Sequence, residues 1–161
     1  MKENPFKSIA FNKLEKNVYA PIFVKAMPFF IAIIAFDNVA ARIMMAAIEN
    51  MDRFNECEVI ITELDSYLGV SENTRKRALN VLRYMNFIET KRNTVKGGKT
   101  KFKISVQVAC KGNVETKVNM EGAFDEYLCP SLLVDGQICK ESFEKYKQFK
   151  GKTKHKDGLP F

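Results

Sequence analysis

The run Leu64-Asp-Ser-Tyr-Leu-Gly-Val-Ser-Glu-Asn-Thr74 limits what this chain can fold into more than any other. Gly69 sits where a helix begun near Thr62 must end, and a left-handed residue there suits glycine, which has no Cβ to clash. Two residues on, Ser71 can accept a hydrogen bond from the free amides of a following helix. Leu64 and Leu68 give one apolar stripe and Ala78 and Leu82 the other, with Val70 placed to plug the angle between them. The pattern predicts a helix over Glu63–Leu68 capped by Thr62, a tight turn, and a second helix from Glu72 to Tyr84 or Met85.

The flanking sequence extends the pattern on both sides. Upstream, Asp37 or Asn38 caps a helix running to about Arg53, on which Ala41, Met44, Met45 and Ile48 recur at helical spacing. Val59-Ile60-Ile61 marks a short strand or extended link. Downstream, β-rich runs at Phe87–Arg92 and Lys101–Val108 flank Gly97-Gly98, which supplies the positive φ angles a hairpin needs. Helix, helix, turn, helix and hairpin follow one another in the order of a winged helix-turn-helix.

The expected class is therefore α+β, with the winged helix over residues 37–112. Residues 1–36 precede it as a polar arm (1–17), an extended stretch (18–27, with Pro21 against helix) and an apolar helix started by Pro28, burying Phe29 to Phe36. Residues 113–161 follow as a partly helical extension. Met120–Leu128 and Lys140–Phe149 are its helical candidates, the latter with Phe143, Tyr146 and Phe149 along one edge, and the lysine-rich tail from Gly151 is expected to be disordered.

Charge is distributed unevenly. The net +7 arises almost wholly in residues 71–103, where ten Lys/Arg face two Asp/Glu; residues 1–70 carry seven against nine, and residues 104–161 nine against eight. Such a concentration is the footprint of a polyanion-binding face, because each phosphate contact releases counterions; the alternative is a solvated helix face. The apolar run Ala26–Phe36 is eleven residues, short of the roughly 20 a membrane span needs. It suits a buried helix or a dimer contact. Cys57, Cys110, Cys129 and Cys139 lie far apart without a C-x-x-C pair, and the first sixteen residues hold no hydrophobic run, so reduced thiols in a cytoplasmic protein are expected.

On the second helix of the turn motif, Asn73, Lys76, Arg77 and Asn80 would point away from the apolar stripe and toward a major groove. Asparagine can bond adenine bidentately, and arginine or lysine can bond guanine. Ser71 and Thr74, near the helix N-terminus, suit phosphate. Arg92, Lys96 and Lys99 on the hairpin would reach backbone or minor groove. Each of these, singly, is equally a solvated surface group. Asp65 and Arg75 stand where helix-turn-helix proteins carry small apolar and β-branched residues. They face each other in the motif, so either they pair across it or Arg75 snorkels outward to phosphate.

Past the hairpin, Lys101-Phe-Lys-Ile-Ser-Val-Gln-Val-Ala-Cys-Lys-Gly112 resembles the strand "Y-x-I-N-P-x-V-x-x-K-G" of RepL-type plasmid replication proteins, matching at Lys103-Ile104 and Val108 to Gly112 and departing at Ser105-Val106. Phe23-Val-Lys25, the Pro28–Phe36 helix and Met51-Asp-Arg53 are also similar. The resemblance covers residues 20–112 and implies an initiator that binds double-stranded DNA at a plasmid or phage origin, with host replication factors as partners and a homodimer on paired half-sites. A transcriptional repressor would use the same domain, and a protein-interaction module would turn its basic face to an acidic partner. No catalytic activity, metal or cofactor is expected. Nicking would need a His-x-His pair and a nucleophilic tyrosine, but His155 is the one histidine, and Gly97-Gly98-Lys99-Thr100 lacks the first glycine of a phosphate loop.

Overall fold

The computed structural model describes residues 2–9, 20, 22–92, 98–111, 135–145 and 148. No helix among them is long and apolar enough to cross a membrane. The fold is mixed α+β: helices packed on one face of a four-stranded antiparallel sheet.

Helix α1 spans Met27–Phe36, with Pro28 in its first turn. It stops at Asp37, which is extended and takes the N-cap of α2, Asn38–Asn50. The Asp37 Oδ1 accepts hydrogen bonds from Val39 N (3.0 Å) and Ala40 N (3.2 Å), so one residue both ends α1 and starts α2. Phe29, Phe30, Ala32 and Ile33 are buried, whereas Ile31 and Ile34 lie exposed at 62% and 54%. The expectation that α1 is buried throughout is corrected: its neighbours cover one side. On α2, Ala41, Met44 and Ile48 are buried as the spacing predicts, while Met45, at the edge of the stripe, is exposed. The helix ends at Asn50, short of Arg53, because Met51 turns extended and Asp52 closes a tight turn by accepting from Phe54 N (2.8 Å) and Glu56 N (3.0 Å).

Strand β2, Glu56–Ile60, runs without a loop into α3, Ile61–Leu68. The last residue of the strand, Ile60, thus occupies the N-cap, with no side-chain cap bond, and Thr62 lies inside the helix instead of capping it. Gly69 ends α3 at φ 67°, and Asp65 O accepts from the amides of Gly69 (2.9 Å) and Val70 (3.2 Å). Helix α4, Glu72–Tyr84, follows with Ser71 as its cap, and then come β3, Ile88–Arg92, and β4, Lys99–Ile104. Beyond Ile104 the chain leaves the sheet: Ser105 Oγ accepts from Gln107 N (3.1 Å), so the strand expected to reach Val108 is shorter. Ala109 then bridges to Ile22, and Val108 O accepts from Phe23 N (2.9 Å).

The N-terminus departs furthest from expectation. Within the anticipated polar arm, β1, Lys7–Ser8, pairs antiparallel with β2, giving the strand order β1-β2-β4-β3. Phe6, 1% exposed, stands edge-on to Phe102 with ring centroids 5.0 Å apart. Asn4 ties the arm to α2 by donating to Ala46 O (2.9 Å) and Glu49 Oε2 (2.7 Å). A two-residue strand leaves no alternation to detect. Between Ile22 and α1, residues Val24–Ala26 form a 3-10 turn where extended chain was expected.

Inward-facing Cys57, Val59, Phe102 and Ile104 of the sheet meet α2 and α4 in one continuous buried cluster. Phe87 joins it against Phe29 and Phe30. At the other end residues 140–145 are helical, and Phe143 packs on Phe36 and Tyr84. Phe143 is thereby part of the core; Tyr146, Phe149, Met120–Leu128 and the tail lie outside the described residues. Cys57, Cys110 and Cys139 are free thiols. Burial, reinforced by the Asp52 and Glu56 carboxylates, pushes the Cys57 thiol far up, so it stays protonated.

Asn55 joins the pieces. Fully buried at φ 58°, it donates from Nδ2 to Ile104 O (3.3 Å) and Ala109 O (2.7 Å), and its Oδ1 accepts from Lys111 N (3.0 Å). The turn before β2 is so stapled to the end of β4. Replacing Asn55 with Ala should cost about 3 kcal/mol, from stranded buried backbone groups and a left-handed residue with a plain Cβ. Asn55→Gly should recover about 1 kcal/mol of that by relieving the backbone. Urea denaturation measures both; equal losses would show that the positive φ costs nothing here.

Candidate nucleic-acid interface

Helix α4 buries Arg75, Ala78, Leu79, Val81 and Leu82. At 100° per residue this leaves Asn73, Lys76, Arg77 and Asn80 on the opposite side. Asn73, Lys76 and Arg77 are exposed and Asn80 is half-buried. The four amide and cationic side chains expected to share a face do share it.

Their immediate partners were not foreseeable in full. Ser71 Oγ accepts from Thr74 N (3.3 Å) and lies 3.0 Å from Thr74 Oγ1, so the two hydroxyls proposed for phosphate form a cap with each other. Lys76 pairs with Glu72 one turn back at 2.5 Å, and this lysine holds the Glu72 carboxyl below its ordinary range. Asn73 has no side-chain partner among the described residues. Arg77 reaches off the helix: its Nε lies 3.0 Å from Asp37 Oδ2. Asn80 Oδ1 accepts from Arg83 Nη1 (3.3 Å), while Arg83 Nε donates to Thr90 Oγ1 of β3 (2.8 Å). Arg83 was absent from the expected site, yet it ties α4 to the hairpin. Only its place in the basic cluster hinted at this, since the tie depends on β3 folding back over the helix.

On the hairpin, Arg92 and its neighbour Lys91 are exposed and carry no ion pair among the described residues. Lys99 is paired with Glu58 across the sheet (2.5 Å), and Lys101 likewise with Glu56 (2.6 Å). Lys96 lies outside the described residues. Glu56 and Glu58, on the solvent face of β2, thus neutralise much of what looked like an uninterrupted basic run. Arg75, Lys76, Arg77, Lys99 and Lys101 each have an acidic partner, and all but Glu72 come from outside residues 71–103.

Asp65 and Arg75 do pair. Arg75 Nη1 donates to Asp65 Oδ2, with the arginine side chain 8% exposed, so the alternative of Arg75 snorkelling to solvent is set aside. The other carboxylate oxygen, Asp65 Oδ1, is buried without a hydrogen-bond partner among the described residues. Tyr67 and Tyr84, two of the tyrosines in the chain, are half-buried against the core. No protein-family model, curated protein sequence or solved structure matches this chain.

Removing either member of the Asp65–Arg75 pair strands a charge beneath α4. Asp65→Ala should destabilise by about 3–5 kcal/mol. The double variant Asp65→Leu/Arg75→Leu should recover most of that loss, because no charge is then left buried. Thermal denaturation of the two singles and the double reads the coupling; additive losses would mean the pair is not the link between the helices.

Proposed function

We propose that this chain is a winged-helix protein that binds double-stranded DNA, with α4 in the major groove and the β3–β4 hairpin against the adjoining backbone. The observation that carries this reading is the exposed stripe of α4. Asn73, Lys76, Arg77 and Asn80 share one face of a helix whose opposite face is the core. Asparagine amides and arginine forks are the groups that read adenine and guanine edges. Lys91 and Arg92, at the end of β3, have no ion pair among the described residues, which suits them to phosphate. The order α2, β2, α3, turn, α4, β3, β4 supports the winged-helix reading, with β2 against β4 and β3 outermost.

The biological role we favour is initiation at a plasmid or phage replication origin, supported by the resemblance at Lys103-Ile104 and Val108 to Gly112. A repressor would use the same contacts. Duplexes selected from a random pool distinguish the two by whether the enriched site maps to an origin or to a promoter.

Charge reversal separates phosphate contacts from structural charges. Lys91→Glu and Arg92→Glu should each lower duplex affinity about tenfold in dilute salt. Arg92→Gln, which removes one cation, should reduce the slope of log affinity against log salt by about one. Lys101→Glu, by contrast, alters a residue already matched by Glu56 and should change affinity much less. Fluorescence anisotropy across a salt series measures all of these; a flat salt response would favour an acidic protein partner, or none, over DNA.

A further inference from the structure

Among the described residues on the exposed stripe of α4, Arg77 differs from the others in being held by a buried acid of another helix. Asp37 is 3% exposed and Arg77 68% exposed at the side chain. The carboxylate has no freedom to follow a mobile arginine. Its Oδ1 is committed to the amides of Val39 and Ala40 as the cap of α2, so rotating Oδ2 away from Arg77 would uncap that helix. The contact is made to Nε, at 3.0 Å.

Which nitrogen is held decides what remains. A guanidinium is a planar fork of five donors. With Nε engaged on one edge, the edge formed by Nη1 and Nη2 has no partner among the described residues, on a side chain that is largely exposed. That end-on edge matches the N7 and O6 acceptors of guanine in the major groove. Anchoring Nε also restricts the long side chain, so rotamer freedom is lost in folding and not on binding. Lys76, tethered to Glu72 through an exposed single-point contact, has no such orientation, and Lys91 and Arg92 are held by nothing described.

We propose that Asp37 is a buttress that presents the Nη1/Nη2 edge of Arg77 to a guanine, making Arg77 the specificity-determining residue of α4 and Asp37 its positioning residue. The inference rests on the duplex reading above. It assigns a second task to the carboxylate that caps α2, and it separates Arg77 from Lys91 and Arg92 of β3, which the duplex reading gives to phosphate.

The test is selection of duplexes from a random pool by the full chain and by four variants: Arg77→Lys, Asp37→Asn, Asp37→Ser and Arg92→Gln. Asn and Ser both cap helices well, so α2 keeps its N-terminus while Nε loses its anionic acceptor; a thermal melt of each variant confirms folding, and Asp37→Ser serves if Asp37→Asn does not fold. The wild-type protein should enrich a G·C pair at a fixed position. Arg77→Lys and the Asp37 variants should both lose about tenfold discrimination at that same position, with preferences elsewhere retained. Arg92→Gln should weaken binding to all sequences and leave the selected bases unchanged. The inference is overturned if the Asp37 variants keep full guanine preference. It is equally overturned if Arg77→Lys changes stability alone, which would make the contact a structural tie between α2 and α4. A wild-type protein that enriches no duplex in dilute salt overturns the duplex reading itself, and the inference with it.

Discussion

A guanidinium cannot be taken from water without an anionic partner, and Arg75 lies beneath α4 with Asp65 of α3 as that partner. The arrangement of the two helices follows from this requirement as much as from apolar packing. Gly69 lets the chain reverse in a left-handed residue, Ser71 restarts the helix, and the Asp65–Arg75 contact then sets which side of α4 faces inward. With Arg75 inside, Asn73, Lys76, Arg77 and Asn80 must be outside, because helical geometry leaves them nowhere else. Two further arginines extend the clamp. Arg77 reaches the cap of α2, and Arg83 reaches Thr90 on β3. Helix α4 is thus tied to α3, to α2 and to the hairpin by three arginines spaced along its length.

The charge of the molecule takes a different shape in space than along the chain. Acids of the slightly negative first 70 residues meet cations of the basic segment. Asp37, Glu56, Glu58 and Asp65 each take one, two within the helical layer and two across the outer face of the sheet. On the duplex reading, the cations left for a polyanion among the described residues are fewer than the count of lysines and arginines suggests: those on the exposed stripe of α4, and Lys91 and Arg92 at the end of β3. If the proposed duplex contact holds, a surface matched in this way would bind through a few placed cations and not through bulk positive charge, which favours specificity over indiscriminate attraction.

Features governed by near neighbours were legible in the sequence. Asp37 as a cap, Gly69 as a left-handed stop and Ser71 as the next cap each depend on a few adjacent residues, and helical periodicity alone assigned the outward stripe of α4. Features set by long-range register were not. Thr62 seemed the natural cap for α3, but β2 continues directly into the helix, leaving Ile60 in that position. Phe6 gave no signal because its burial depends on a two-residue strand finding the edge of β2. The pairing of Lys99 and Lys101 depends on β2 lying beside β4 with Glu58 opposite Lys101, a register that spacing along one strand does not reveal. The Asp65–Arg75 pair lies between these cases. Two charged residues expected at the seam between α3 and α4 had to find each other or stay wet, and the turn at Gly69 brought them together.

The most direct measurement is a backbone-amide NMR titration of the protein with a short duplex in dilute salt. Binding through α4 predicts shifts concentrated at residues 71–80 and at the hairpin, around Lys91, Arg92 and Gly98, with the exposed face of α1 silent. Shifts centred on Ile31 and Ile34, or on the outer face of the sheet at Glu56 and Glu58, would contradict it, as would a spectrum the duplex leaves unchanged.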